Sequence, residues 1–200
     1  MPTVLVPTAR WQRWVDNFTT SHGGTDLSVA AGALAGRAAD GSHFTAHLPF
    51  STSYDGPAEA APFAEAAVPP AQWGVLLVRK GGFAVARLRA EEMVEHKIGQ
   101  RHVQGRTKAG GQSQQRFARR RDNQARQPYE AAADHAARIL RPGPVVTGGD
   151  RQAVEEVLAD DRLRGLAVVG PWLAVPDPRR AVLDQGVLDA QAIAVDVTNA

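Results

Sequence analysis

Residues 97–121 read Lys-Ile-Gly-Gln-Arg-His-Val-Gln-Gly-Arg-Thr-Lys-Ala-Gly-Gly-Gln-Ser-Gln-Gln-Arg-Phe-Ala-Arg-Arg-Arg, with Gly110-Gly111-Gln112 at the centre. Two adjacent glycines let the backbone reach positive φ and approach a ligand with no Cβ in the way. The side chain they deliver, Gln112, is a neutral amide; it is not an acid, a base or a nucleophile. Such a group can orient a water or donate a hydrogen bond, but it cannot move protons by itself. It suits a reaction centre whose proton chemistry comes from the partner, and the cations around it suit an RNA partner.

The charge is segregated to match. Residues 97–126 hold nine Lys/Arg against one acid, Asp122, a net +8, while the other 170 residues carry 14 basic and 20 acidic groups, a net −6. Concentrating positive charge in one segment of a chain that is otherwise acidic is the electrostatic footprint of a polyanion partner. Basic runs also occur as solvated helix faces, so the pattern alone leaves that plainer reading open.

Other chemistries find little support. The chain has no cysteine, which removes disulfides, thiolate zinc sites and thiol nucleophiles and fits a reducing, cytoplasmic setting. The start, Met-Pro-Thr-Val-Leu-Val-Pro, lacks the basic and long apolar regions of a signal peptide, and no apolar run approaches a membrane span. His43 and His47 lie four residues apart on one strand, about 13 Å along it, too far to share a metal. His96 and His102 lack a carboxylate or cysteine at ligand spacing. Glu155-Glu156 and Asp160-Asp161 read as a helix face and its end. Gly148-Gly149-Asp150 reads more economically as a turn and helix N-cap than as a phosphate site. No metal or cofactor is expected, and no Walker loop, Gly-x-Ser-x-Gly or His-Glu-x-x-His sequence occurs.

These residues need a scaffold, and 200 residues can build one domain plus an appendage. Trp11, Trp14, Val15 and Phe18 at helical spacing predict a helix over 9–21, ending at Gly23-Gly24. Alternation over 27–38 predicts one strand, which an Asp40-Gly41 turn joins to a second over 44–48. Residues 49–71, with five prolines and no periodicity, read as a loop or linker and the best domain boundary. A hairpin over 73–88 turns at Gly81-Gly82, and a further strand is expected within 91–103. A helix is expected from Ser113 or Gln114 to Leu140, interrupted at Pro128, with Tyr129, Ala132, Ala133, Ala136 and Ile139 forming its apolar stripe. Strands at 145–146, 166–169 and 193–197 alternate with helices at 151–158 and 178–185. The expected fold is therefore α/β, a mixed β-sheet flanked by helices. The expected division is 1–72 (N-terminal helix, hairpin and Pro/Ala-rich linker) and 73–200, the domain that would hold the Gly110-Gly111-Gln112 segment.

The segment 97–127 closely resembles the catalytic-domain loop of the class-I release factors of eukaryotes and archaea. There a Gly-Gly-Gln tip is likewise followed by Ser and by Arg-Phe-Ala-Arg at the start of a long helix, as in Ser113 and Arg116-Phe117-Ala118-Arg119. The hairpin upstream and Val145-Val-Thr-Gly-Gly-Asp150 downstream fit the same pattern. Within that superfamily the chain is closer to the Vms-like release factors, peptidyl-tRNA hydrolases of ribosome quality control. Gln100-Arg-His-Val-Gln-Gly-Arg106 and the short chain resemble a stand-alone bacterial branch. Residues 1–72 show no stop-codon-reading motif, and no GTPase-binding C-terminal domain is recognised, so the resemblance implies codon-independent release.

What the resemblance implies is specific. The fold should be that of the release-factor catalytic domain, with a projecting loop and a long helix. Gly110, Gly111 and Gln112 would carry catalysis. Arg101, Arg106, Lys108, Ser113, Arg116, Arg119, Arg120 and Arg121 would contact RNA. The partners would be large-subunit ribosomal RNA and peptidyl-tRNA, with neither DNA nor membrane involved, and the protein would act as a cytoplasmic monomer. Two alternatives stay open: a non-catalytic binder of the ribosome or structured RNA, and a hydrolase of free peptidyl-tRNA.

Overall fold

A computed structural model describes residues 3–100 and 129–200. The chain forms two compact units, one made of Met1–Pro70, Val169–Trp172 and Val187–Ala200, the other of Ala71–Val168 and Leu173–Gly186. Each has its own five-stranded sheet.

The first unit opens with strand β1 (Thr3–Val6), followed by helix α1 (Trp11–His22). Trp11, Val15 and Phe18 form the buried stripe of α1, the i, i+4, i+7 spacing of an amphipathic helix. Gly23, at φ 85°, ends it where an L-residue would be strained. Strands β2 (Thr25–Ala30), β3 (Ala33–Ala38) and β4 (His43–His47) form an antiparallel meander. The single strand expected over 27–38 is thus two. Ala31 and Gly32 both sit at positive φ and turn the chain back, although the apolar alternation runs straight through them. Gly36 lies under the ring of Phe44, where an added methyl would overlap that ring.

The stretch expected as a linker is partly core. It contains a short helix α2 (Ala60–Glu65) whose Phe63 is fully buried against the rings of Trp11, at 5.5 Å, and Tyr54, at 4.9 Å. The Tyr54 hydroxyl donates to the Pro57 carbonyl at 2.8 Å and closes the loop that leads into α2. The last strand, β10 (Ile193–Thr198), runs between β1 and β4, so the sheet order is β1-β10-β4-β3-β2. The C-terminal residues therefore return to the first unit, while the other division falls at Pro70/Ala71.

The second unit is the mixed α/β layer expected from the alternation of elements. Strands β5 (Trp73–Arg79), β6 (Gly82–Arg89) and β7 (Glu92–Gln100) form an antiparallel meander. Strand β8 (Gly143–Gly149) then pairs parallel to β5, and β9 (Leu166–Leu173) lies outside β8. β5 is buried along nearly its whole length, as a strand covered on both faces must be. On one face, helix α3 (residues 129–139) buries Ala132, Ala133, Ala136 and Ile139. Helix α4 (Arg151–Leu158) buries Ala153, Val154 and Val157. On the other, helix α5 (Arg180–Ala190) packs with Gly186 close to Leu77 and Leu173.

Candidate catalytic segment and the sheet edge that carries it

Gly110, Gly111 and Gln112 lie outside the described residues, as do Arg101, Arg106, Lys108, Ser113, Arg116, Arg119, Arg120 and Arg121. The same holds for His102 and for the first part of the helix expected from 113 or 114 to 140. The residues on either side of this segment are described, and they are informative. β7 ends at Gln100, and α3 is helical from Tyr129.

Strand direction places both flanks at one edge of the second sheet. β5 and β8 are parallel, and β6 runs antiparallel between β5 and β7, so β7 points the same way as β5. The carboxyl ends of three strands, at Arg79, Gln100 and Gly149, therefore share an edge. Gln100 pairs with Gly82, Arg79 pairs with Gly82, and Val78 pairs with Gly149. Tyr129 lies at that edge too, lining an open cleft with Lys80, Asp150 and Gln152. In open α/β sheets, ligand chemistry collects beyond the carboxyl ends of the strands, because loops there are free to vary while the sheet stays rigid.

The cleft itself is not a phosphate site. Glu130, Asp150, Glu156 and Asp160 line it against the single ammonium of Lys80, a balance that repels polyanions. Asp150 also occupies the position that a phosphate would take. Its carboxylate accepts from the Ala153 N–H at 3.3 Å and caps α4, directly after Gly149 at φ 102°. The N-cap reading of Gly148-Gly149-Asp150 thus describes the structure. Replacing Asp150 with Ala leaves that N–H without its partner and should lower stability by about 1 kcal/mol, measured by urea unfolding.

The remaining candidates are engaged elsewhere. Arg162 ties the turn after α4 to α3, reaching Asp134 and Asp160 at 2.7 Å each. Its side-chain and backbone hydrogen bonds hold the Asp160 carboxyl down at about 2. Asp161 pairs with Arg164 at 2.7 Å, so the Asp160-Asp161 pair points to two different guanidiniums. Arg180 approaches the His96 Nε2 at 2.9 Å; a guanidinium can only donate, so Nε2 accepts and the ring proton sits on Nδ1. His47 stands 3.9 Å from Asp196, and the His43 ring reaches the Gly41 carbonyl at 3.4 Å. Among the described residues no group of three or more His, Cys, Asp or Glu could hold a metal. No helix among them is long and apolar enough to cross a membrane.

One cluster beside the segment escaped the sequence reading. Glu95 on β7 pairs with Arg87 on β6 at 3.4 Å and with Arg138 on α3 at 3.6 Å, and Phe83 stacks on His135 with ring centroids 5.5 Å apart. The two elements flanking residues 101–128 are thereby joined to each other and to β6. Only the β6–β7 register, which sets Arg87 opposite Glu95, could have signalled it.

A family model described as the Actinobacteria/chloroflexi VLRF1 release factor matches residues 71–196, more than half of the chain. The protein belongs to this release-factor family. The match starts at the boundary between Pro70 and Ala71 and spans the Gly110-Gly111-Gln112 segment. The likeness to Vms-like release factors read from residues 97–127 is therefore one of family. Among solved structures, one titled Vms1 mitochondrial localization core is similar at 12% identity and a TM-score of 0.40, covering 92% of this chain and 81% of that one. No curated protein matches.

Proposed function

We propose that this VLRF1-family release factor is a codon-independent peptidyl-tRNA hydrolase. It acts in the cytoplasm at the peptidyl-transferase centre of stalled or split ribosomes and frees nascent chains. The observation that carries the reading is the Gly110-Gly111-Gln112 sequence, with its Ser113 and Arg116-Phe117-Ala118-Arg119 continuation, inside a release-factor family match.

The bond to be cleaved is the ester between the nascent peptide and the terminal ribose of tRNA, and water must attack its carbonyl. Gly110 and Gly111 allow close approach to an RNA-walled pocket. The backbone N–H of Gln112 donates to the developing oxyanion or to the leaving 3′-hydroxyl, and its side-chain amide orients the attacking water. A carboxylate in its place would be repelled by the surrounding phosphates. The ribose 2′-hydroxyl relays the proton, so the reaction needs no protein base. Arg101, Arg106, Lys108, Arg116, Arg119, Arg120 and Arg121 neutralise rRNA and tRNA phosphates and hold register, and Ser113 contacts RNA beside the tip. Their contribution to affinity falls with salt.

The test is peptide release from isolated large subunits carrying peptidyl-tRNA. Turnover by the wild-type protein that is lost on Gln112 substitution supports the reading. Binding without turnover would leave a non-catalytic ribosome factor. Equal turnover on naked peptidyl-tRNA would make it a hydrolase of the free substrate.

A further inference from the structure

The exposed side of the β7–α3 junction carries a cationic surface that joins Lys97, at the start of the basic run, to Arg138 on α3. On β7, Glu95, Lys97 and Gly99 pair with Arg87, Val85 and Phe83 of β6, on the face that α3 covers. Gly99 lies under the Phe83 ring, where any side chain would overlap it, and this lets Phe83 stack on His135. The stack sets the imidazole beside Lys97 and, one turn along α3, Arg138. Glu95 is shared between two guanidiniums, at 3.4 Å from Arg87 and 3.6 Å from Arg138. One carboxylate thus pairs with both Arg87 and Arg138, and with Lys97 added the group sums to a net +2 with His135 neutral. Arg138 keeps 61% of its side chain exposed despite the ion pair, Lys97 is exposed, and the nearby Asp134 carboxylate is taken by Arg162 at 2.7 Å.

We infer that Lys97, His135 and Arg138 form a phosphate-contact strip that grips the ribosomal RNA backbone beside the catalytic segment. This rests on the proposed ribosomal action and extends it from Lys97, the first cation of the basic run, to His135 and Arg138 on α3, which that run does not contain. The strip is built on a strand and a helix packed together, so it fixes orientation where a loop alone would not. A phosphate is the group that satisfies two cations flanking one imidazole. Without it, burial and then the Lys97 and Arg138 charges push the His135 imidazole below its ordinary range, against the weaker opposite pull of Asp134. A phosphate reverses the sign of the local field and raises that pKa. Binding then takes up a proton, so affinity rises as pH falls.

The test uses the full chain and purified large ribosomal subunits. Lys97→Gln and Arg138→Gln should each weaken binding about fivefold near physiological salt and flatten the log-affinity against log-salt line by about 0.7–0.9. Glu95→Gln should tighten it, and Arg164→Gln, which removes a pair with Asp161 remote from the strip in sequence, should leave it unchanged. Wild-type affinity should rise about threefold from pH 7.5 to pH 6, and His135→Gln should lose that rise. A photo-crosslinking residue placed at position 138 should capture rRNA. Unchanged salt slopes in Lys97→Gln and Arg138→Gln, or capture of a ribosomal protein alone, would overturn the strip. Failure of the wild-type chain to bind large subunits would instead sink the proposed function on which the strip rests.

Discussion

Replacing Gln112 with alanine should lower the rate of peptide release from large-subunit peptidyl-tRNA complexes by at least about 100-fold while leaving affinity for the subunit within about twofold. The asymmetry is the informative part. A side-chain amide that only orients water makes its contact in the transition state, so its loss appears in the rate and not in binding. All the cations assigned to affinity, from Arg101 to Arg121, remain in place in this variant. Gly111→Ala should match it in rate, for a different reason: the added Cβ narrows the backbone's conformations and its approach to RNA. Gln112→Glu separates the two roles. It preserves size but brings a negative charge among phosphates, so both rate and affinity should fall. Single-turnover release at saturating factor, alongside a filter-binding or sedimentation measurement, reads the two quantities independently. Release by Gln112→Ala at the wild-type rate would remove the catalytic assignment altogether.

How much was legible in the residues follows from the range of each interaction. The α1 stripe of Trp11, Val15 and Phe18 and the 73–88 hairpin depend on neighbours within a few positions, and sequence periodicity carried them. The turn at Ala31-Gly32 did not show, because Val29, Ala31 and Ala33 keep the alternation of one continuous strand while the backbone reverses. β10 could be read as a strand but not placed, since its partners β1 and β4 lie far away in the chain. Likewise the Arg87–Glu95–Arg138 cluster needs both the β6–β7 register and the packing of α3 on that face. The candidate site could be put forward from sequence for the opposite reason: Gly110, Gly111 and Gln112 are consecutive, and a tripeptide flanked by cations needs no tertiary contact to be singled out. The shared edge where β5, β7 and β8 end, at which β7 reaches Gln100, emerges only from strand direction.

The 49–71 segment offers the second large effect. Five prolines and many alanines give it the composition of a tether, and in a tether Phe63→Ala would change stability by less than about 0.5 kcal/mol. The packing argues otherwise. Phe63 is fully buried between Trp11 and Tyr54, in the same cluster as Leu34, Phe44 and Ile193 from three strands of the sheet. Removing its ring deletes both the burial of an aromatic side chain and its tilted and edge-on packing. It also leaves a cavity whose walls are a helix and a sheet, which cannot collapse freely. The expected cost is about 3–5 kcal/mol, while Phe63→Leu, which refills most of the volume, should cost roughly 1–1.5 kcal/mol. Urea unfolding followed by tryptophan fluorescence is well suited to the comparison, because the Trp11 indole packs directly on the Phe63 ring. Prolines at 57 and 62 then act as constraints on the turn into α2 and on its first residues, where a missing N–H is tolerated and φ is already set. A segment whose one aromatic side chain inside a short helix is worth several kcal/mol is part of the first unit's core, and the flexible connection that its composition suggests cannot lie between Ala60 and Glu65.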